Sequence, residues 1–253
     1  NEQVPNNEQI NQPNQNTNNT DNTPITAGVK ISVSVNGVKF PLMGCPKGEF
    51  IMNNKYKATI KEGFYIGKYE VTQGQYKAIM GNNPSIITGD KLPVHNINWL
   101  DAKKFCVKLN ELTKDKRPAG YVFSLPSEKQ WEYACRSGYT TSLNNGKNLT
   151  NLTTSDNELN KLGWYEANSC EKIQTVGKKI ANAWGIHDML GNAWEFCGDN
   201  IPYEGNKYAN HRLVRGGGYK SNSQECSCSS RKIIKESSTD EELGFRIILK
   251  PID

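Results

Sequence analysis

From residue 139 to the C-terminus, Gly, Asn, Ser and Thr recur at intervals too short for a long helix or strand to form between them. Only residues 212–215 and 245–249 read as strands there. A chain of 253 residues that carries five Trp and eleven Tyr, yet leaves about half of itself as loop, must tie those loops down. Buried rings, side-chain hydrogen bonds or bound ions are the available means, because each backbone polar group buried without a partner costs about 1–3 kcal/mol. The first half is more regular. Val29, Ile31, Val33 and Val35 alternate with polar residues before Asn36-Gly37 and the return run Val38-Lys39-Phe40, which predicts a β-hairpin. Helical spacing covers residues 72–80 and 100–112, and Ser127 followed by Glu128 starts a third helix that should stop at Gly138.

Residues 1–26 are nearly all Asn, Gln, Thr, Pro and Glu, with only Val4, Ile10 and Ile25 apolar, so they cannot offset the entropy of ordering the backbone. They read as a disordered tether ahead of a single domain over residues 27–253. Such a tether fits an exported protein held at the cell surface by a lipid anchor, with the membrane touched only through an N-terminal anchor already removed from this sequence. No apolar run approaches the roughly 20 residues of a membrane-crossing helix. The net charge of +5 is spread over pairs such as Lys103-Lys104 and Lys178-Lys179 rather than gathered into a stripe with interleaved aromatics, which argues against nucleic acid as a partner. A monomer is expected.

The seven cysteines are an odd number and form no CxxC. Cys226 and Cys228 stand too close for both to serve one tetrahedral zinc without ligands from elsewhere. The three histidines show no HxxxH or HExxH spacing. Paired carboxylates, a nucleophile triad and a phosphate loop are all missing as patterns, since Arg215-Gly-Gly-Gly lacks the following Lys and Ser or Thr.

Seven ordered blocks run through the chain: Gly48-Glu-Phe-Ile-Met52, Phe64-Tyr-Ile-Gly-Lys-Tyr-Glu-Val-Thr-Gln-Gly-Gln-Tyr76, Leu92-Pro-Val-His-Asn-Ile-Asn-Trp-Leu-Asp-Ala102, Leu125-Pro-Ser-Glu-Lys-Gln-Trp-Glu-Tyr-Ala-Cys135, Trp184-Gly-Ile-His-Asp-Met-Leu-Gly-Asn-Ala-Trp-Glu195, Arg215-Gly-Gly-Gly-Tyr219 and Gly244-Phe-Arg246. Over residues 42–249 the chain thereby resembles the formylglycine-generating enzyme (sulfatase-modifying factor) family. The resemblance implies an α+β, C-type-lectin-like fold with sparse regular secondary structure and long ordered loops. Catalytic members bind copper through two cysteines, five residues apart, after the Arg-Gly-Gly turn. Those positions fall here on Ser221 and Cys226. A neutral hydroxyl in place of a soft thiolate has little affinity for Cu(I), and rescue by Cys228, two residues after Cys226, is not expected. Copper is therefore disfavoured, no cofactor is required and no catalytic residue is assigned. The helical domain with a His triad that the related iron-dependent sulfoxide synthases need is not present. A copper-dependent cysteine oxidase with an altered thiol pair and an inert structural paralogue stay open as alternatives.

A second branch of this fold, the variable proteins of diversity-generating retroelements, fits better. There, adenine-directed mutagenesis rewrites a C-terminal segment that forms one binding face, which corresponds to a variable region at about 194–246. Ser221, Ser223, Ser227, Cys228, Ser229 and Ser230 are residue types reachable by altering the adenines of an Asn codon. The five serines among them, with Trp194, Asp199, Asn200, Tyr203 and Tyr219, are the candidate ligand-binding residues, suited to a protein or peptide and open to carbohydrate. Trp194 also reads as a framework core residue. The resemblance further implies structural calcium, held by Asn192 and Glu195 with carbonyls near Gly191 and Ala193, and at a second site that starts at Asn168 and Ser169. The other reading makes Asn192 a turn residue and Glu195 a buried partner of Arg215 or Arg246. Cys106 and Cys135 match positions that carry cysteine in secreted relatives, but the partners those relatives use fall on Ile247 and Arg231, so buried reduced thiols are expected.

Overall fold

Strands at the two ends of the chain share one sheet, and this brings the C-terminal segment back against the first hairpin. The computed structural model describes residues 24–201 and 209–252. Strand β1 (Lys30–Val35) pairs with β2 (Val38–Cys45) through Asn36 and Gly37, whose φ values of 50° and 76° give the left-handed turn that matches strand twist. A second hairpin, β3 (Gly48–Met52) and β4 (Tyr56–Ile60), turns at Asn53 and Asn54, both also left-handed. Then follow β5 (Phe64–Gly67), α1 (Gln73–Met80), α2 (Trp99–Leu112), β6 (Tyr121–Ser124) and α3 (Glu128–Arg136). The loop-rich half holds α4 (Leu159–Leu162), β7 (Trp194–Phe196), β8 (His211–Arg215), β9 (Arg231–Lys235), β10 (Leu243–Gly244) and β11 (Ile248–Pro251). The five-stranded sheet has the order β1-β2-β5-β11-β6, and a four-stranded sheet the order β10-β7-β8-β9. This is the α+β, C-type-lectin-like arrangement of sparse elements and long ordered loops.

Helices α1, α2 and α3 each start on a capping box, Thr72 with Gln75, Asn98 with Asp101 and Ser127 with Gln130, so each satisfies two of its orphan N–H groups locally. The third stops one residue earlier than its sequence suggests, because Ser137 itself takes the left-handed cap at φ 45°. The last strand also shifts. Phe245 and Ile247 spend their carbonyls on Val71 and Gly67 outside the ladder, and regular pairing begins only at Ile248. Helices α1 and α2 cover the large sheet over an apolar core in which Phe105 stacks on Tyr76 at 5.5 Å and meets the edge of Phe245 at 5.2 Å. A second core gathers under α3 around Trp131, Tyr165, Leu190 and Leu213. Among the described residues, no helix is long and apolar enough to cross a membrane.

Candidate ligand-binding face

The short strand β7 carries Glu195 into the interior, where it meets Arg246 two residues beyond β10. The guanidinium donates from Nε to Oε2 and from Nη2 to Oε1, both at 2.6 Å, and the Trp131 indole N–H donates to Oε2 at 2.7 Å. All three side chains are buried. A cation already stands against both oxygens of Glu195, so this carboxylate does not offer calcium the free ligand that the resemblance implies. Asn192 is the turn residue of the alternative reading, at φ 64°. Its Oδ1 accepts from Gln174 N–H at 2.9 Å, and its Nδ2 donates to Glu70 at 3.0 Å. Asn168 likewise accepts from Tyr165 N–H and donates to the Gly163 carbonyl, both at 3.0 Å. The three residues expected to hold calcium thus have their polar atoms bound within the protein and do not fit as a calcium ligand set. Burial, with Asp188 close by, holds the Glu70 carboxyl well above its usual range, and burial pushes Asp188 up to about 6.

A second buried network underlies β8. Arg215 pairs with Glu132 on α3, which also accepts from Arg136 at 2.8 Å, while Glu128 reaches Arg231 at 3.0 Å. Arg215 and Arg136 also donate from Nη1 to the carbonyls of Ser230 and Thr141. This network is the floor beneath the serine-rich segment that follows the Gly216-Gly217-Gly218 turn.

Along that segment the candidate residues divide into supports and rim. Ser221 is buried and its hydroxyl accepts the Gly218 N–H at 3.0 Å; Ser223 is buried and donates to the Asn151 carbonyl at 2.7 Å; Ser227 is buried as well. Tyr219 is 1% exposed, its hydroxyl pushed up to about 12 by burial and by Glu241, so it braces the segment rather than projecting from it. Trp194 is 4% exposed beneath Lys232, which places it with the framework. Ser229 and Ser230 are half-buried, and Ser229 faces Asn54 across 3.5 Å. Asp199 accepts from the Glu128 N–H at 2.6 Å at the start of α3, burial raising its pKa, and Asn200 is exposed. Tyr203 lies outside the described residues.

Two hollows lie along this rim. One, of about 390 Å³, is lined by Asn53, Lys55, Tyr56, Ser229 and Arg231. The other, of about 230 Å³, is lined by Thr153, Thr154, Ser155, Asn222 and Ser223 together with Tyr165, Glu166 and Ala167. Tyr56, half exposed at the tip of the second hairpin, went unnoticed in the sequence. The signal for it was the Asn53-Asn54 pair between two short strand-like runs.

The position of the first copper thiol is the buried Ser221, and the Cys226 thiol is enclosed, with burial pushing its pKa well up. Gly217 holds φ 84° against it, and a Cβ there would come within 2.6 Å of the Cys226 sulfur. Cys228 points elsewhere, its sulfur 3.6 Å from that of Cys135.

Comparison with known proteins gives a match of residues 41–251 to the sulfatase-modifying factor enzyme 1-like domain. The chain is 28% identical to "Chaperone protein LppX" of Paenibacillus barcinonensis, over 73% of this chain and 79% of that one. It is 23% identical to the formylglycine-generating enzyme of Bos taurus over 66% of this chain but only 46% of the enzyme, so it spans less than half of that relative. The solved structure of Treponema denticola variable protein 1 superposes with a TM-score of 0.74 at 26% identity, over 88% of this chain and 99% of the other.

Proposed function

Since the chain belongs to the sulfatase-modifying factor enzyme 1-like family, we propose that it is a non-catalytic member, exported and lipid-anchored, that presents the rim of residues 219–231 to a protein or peptide ligand as a retroelement variable protein does. The observation that carries this reading is the division of labour in that segment. Tyr219, Ser221, Ser223 and Cys226 hold it from within, while Asn222, Gln224, Ser229, Ser230 and Arg231 face outward or stand at the surface. Gln224, Ser229 and Ser230 can change without disturbing the hydrogen bonds that shape the loop, which is what a diversified binding surface needs, whereas Asn222 accepts the Glu225 N–H at 3.1 Å and Arg231 pairs with Glu128. The likeness to Treponema denticola variable protein 1 supports the same reading. Against catalysis stands Ser221, whose hydroxyl is already bound to the Gly218 N–H, and a Cys226 thiol held in its protonated form. The likeness to a protein named as a chaperone favours a second reading, assistance to another polypeptide, and both readings put a polypeptide on this rim.

Sequencing the DNA that flanks the coding region tests the proposal. A near-copy of the stretch encoding residues 194–246, differing at adenines, is the expected result. Absence of such a template, combined with stoichiometric Cu(I) binding that is lost in Cys226→Ser, would overturn it in favour of the oxidase.

A further inference from the structure

We propose that Cys135 and Cys228 form a disulfide that fastens the ligand-bearing segment to α3. Their sulfurs lie 3.6 Å apart across 93 residues of sequence, and both side chains are fully buried. Two thiols in van der Waals contact reach the roughly 2 Å bond with a small rotation about their Cα–Cβ bonds. The backbone is already in place for it. The Cys228 N–H donates to the Ser142 carbonyl at 2.9 Å just after α3, and the Cys228 carbonyl accepts from Arg215 at 3.3 Å. In the closed fold burial pushes the Cys135 thiol well up, with only a partial opposing pull from Arg136 and Arg215, so the thiolate that attacks forms before the segment packs down. The pairing differs from the expectation of two separate reduced thiols, because the partner of Cys135 comes from the serine-rich segment itself.

The chemistry is thiol–disulfide exchange with an oxidised dithiol enzyme or a small-molecule disulfide. One thiolate attacks a sulfur of the oxidant and displaces its other sulfur as a thiolate. The second cysteine then attacks the mixed disulfide, forming the internal S–S bond and releasing the oxidant in its fully reduced form. The two thiol protons leave to solvent, and two electrons pass to the oxidant. Since both sulfurs are buried in the folded chain, exchange takes place while the segment closes. The inference rests on the export reading only for where the oxidant is met. Cross-linked, Cys228 becomes a fixed floor under Ser229 and Ser230.

The test refolds the reduced, denatured full chain in a glutathione redox buffer, then alkylates it under denaturing conditions without reductant and maps the peptides by mass spectrometry. Five of the seven cysteines should take the alkyl group, with one linked peptide pair containing Cys135 and Cys228. Reduction should lower Tm by about 10 °C, the scale expected for a cross-link closing so long a loop. In Cys135→Ala, Cys228 should become alkylated along with every other cysteine. Should that variant fail to fold, the peptide map of the unmodified chain still decides. Alkylation of all seven cysteines, or a link between any other pair, would overturn the inference.

Discussion

The two halves of the molecule are held by different forces. Over the five-stranded sheet, α1 and α2 close on Phe40, Tyr76, Phe105, Leu109 and Phe245, and β1, β2 and β5 pair there in continuous antiparallel ladders. In the loop-rich half the largest fully buried side chains include Arg136, Arg215 and Arg246. Each guanidinium pairs with a buried carboxylate and then turns its spare N–H groups onto loop carbonyls. Arg246 donates to Gly67 at 3.0 Å, to His187 at 3.1 Å and to Asp188 at 3.2 Å. Loops without a ladder leave carbonyls unsatisfied, and a planar five-donor group with a fixed charge can serve several of them from one point. Where apolar burial ends, arginine takes over the work of secondary structure.

If that is right, the largest loss should come from Arg246→Met. It leaves Glu195 buried without its cation and strands the carbonyl at the end of β5 and two loop carbonyls, and we expect a loss of about 3–5 kcal/mol in urea unfolding. Hydrogen exchange should rise first around residues 187–193. Leu109→Ala, wholly within the apolar half, should cost about 2–4 kcal/mol through a cavity. Its effect on exchange should instead follow global unfolding. Equal exchange patterns in the two variants would erase the contrast between the halves.

The charged half should also carry a pH signature. Asp188 has its folded pKa raised from 3.8 to about 6, chiefly by burial. Between those values the unfolded chain has released the proton and the folded one still holds it, so stability falls as pH rises through that window and is fully spared below about pH 4. A shift of that size corresponds to about 3 kcal/mol. Glu70 is shifted in the same direction. Asp188→Asn keeps an acceptor for the Gly177 N–H and should flatten the slope, so that the variant is the more stable protein above pH 6. A slope unchanged by Asp188→Asn would assign the window to other groups.

The apolar half was legible because its signals are local. Thr72 and Gln75, or Ser127 and Gln130, sit three residues apart, and the faces of α1 and α2 repeat within a turn. The second hairpin escaped reading because its turn is Asn-Asn rather than Asn-Gly. In the loop half the decisive pairs are distant: Glu195 and Arg246 are 51 residues apart, Glu132 and Arg215 are 83. No short-range pattern marks them. Tyr219, Ser221 and Ser223 are buried in alternation with Lys220, Asn222 and Gln224, but the segment is polar on both faces, so no hydrophobic contrast shows the alternation and the serines that look like one exposed patch in the sequence divide into supports and rim only in the fold. Glu195 as an arginine partner was one of two open readings, and only the three-dimensional arrangement selects it.

Helix α3 belongs to both halves, and its N-cap gives the finest test of how far they are coupled. Ser127 accepts from Gln130 N–H at 3.1 Å, while Gln130 returns a bond to the Ser127 N–H at 2.9 Å. Asp199 already takes the Glu128 N–H, so removing the Ser127 hydroxyl strands a single donor. As a helix cap alone, Ser127→Ala should cost about 1 kcal/mol and Ser127→Asp should restore most of it. The same first two turns, however, carry Glu128 and Glu132, which anchor Arg215, Arg231 and Arg136. If the arginine network depends on the position of α3, fraying at Ser127 will be felt there as well. A cost near 1 kcal/mol, with exchange at Ser230 and Thr141 unchanged, means that the network holds the helix. A cost well above it, with those amides opening together, means that the helix holds the network, and then a local signal written in four residues also sets the loops of the serine-rich segment.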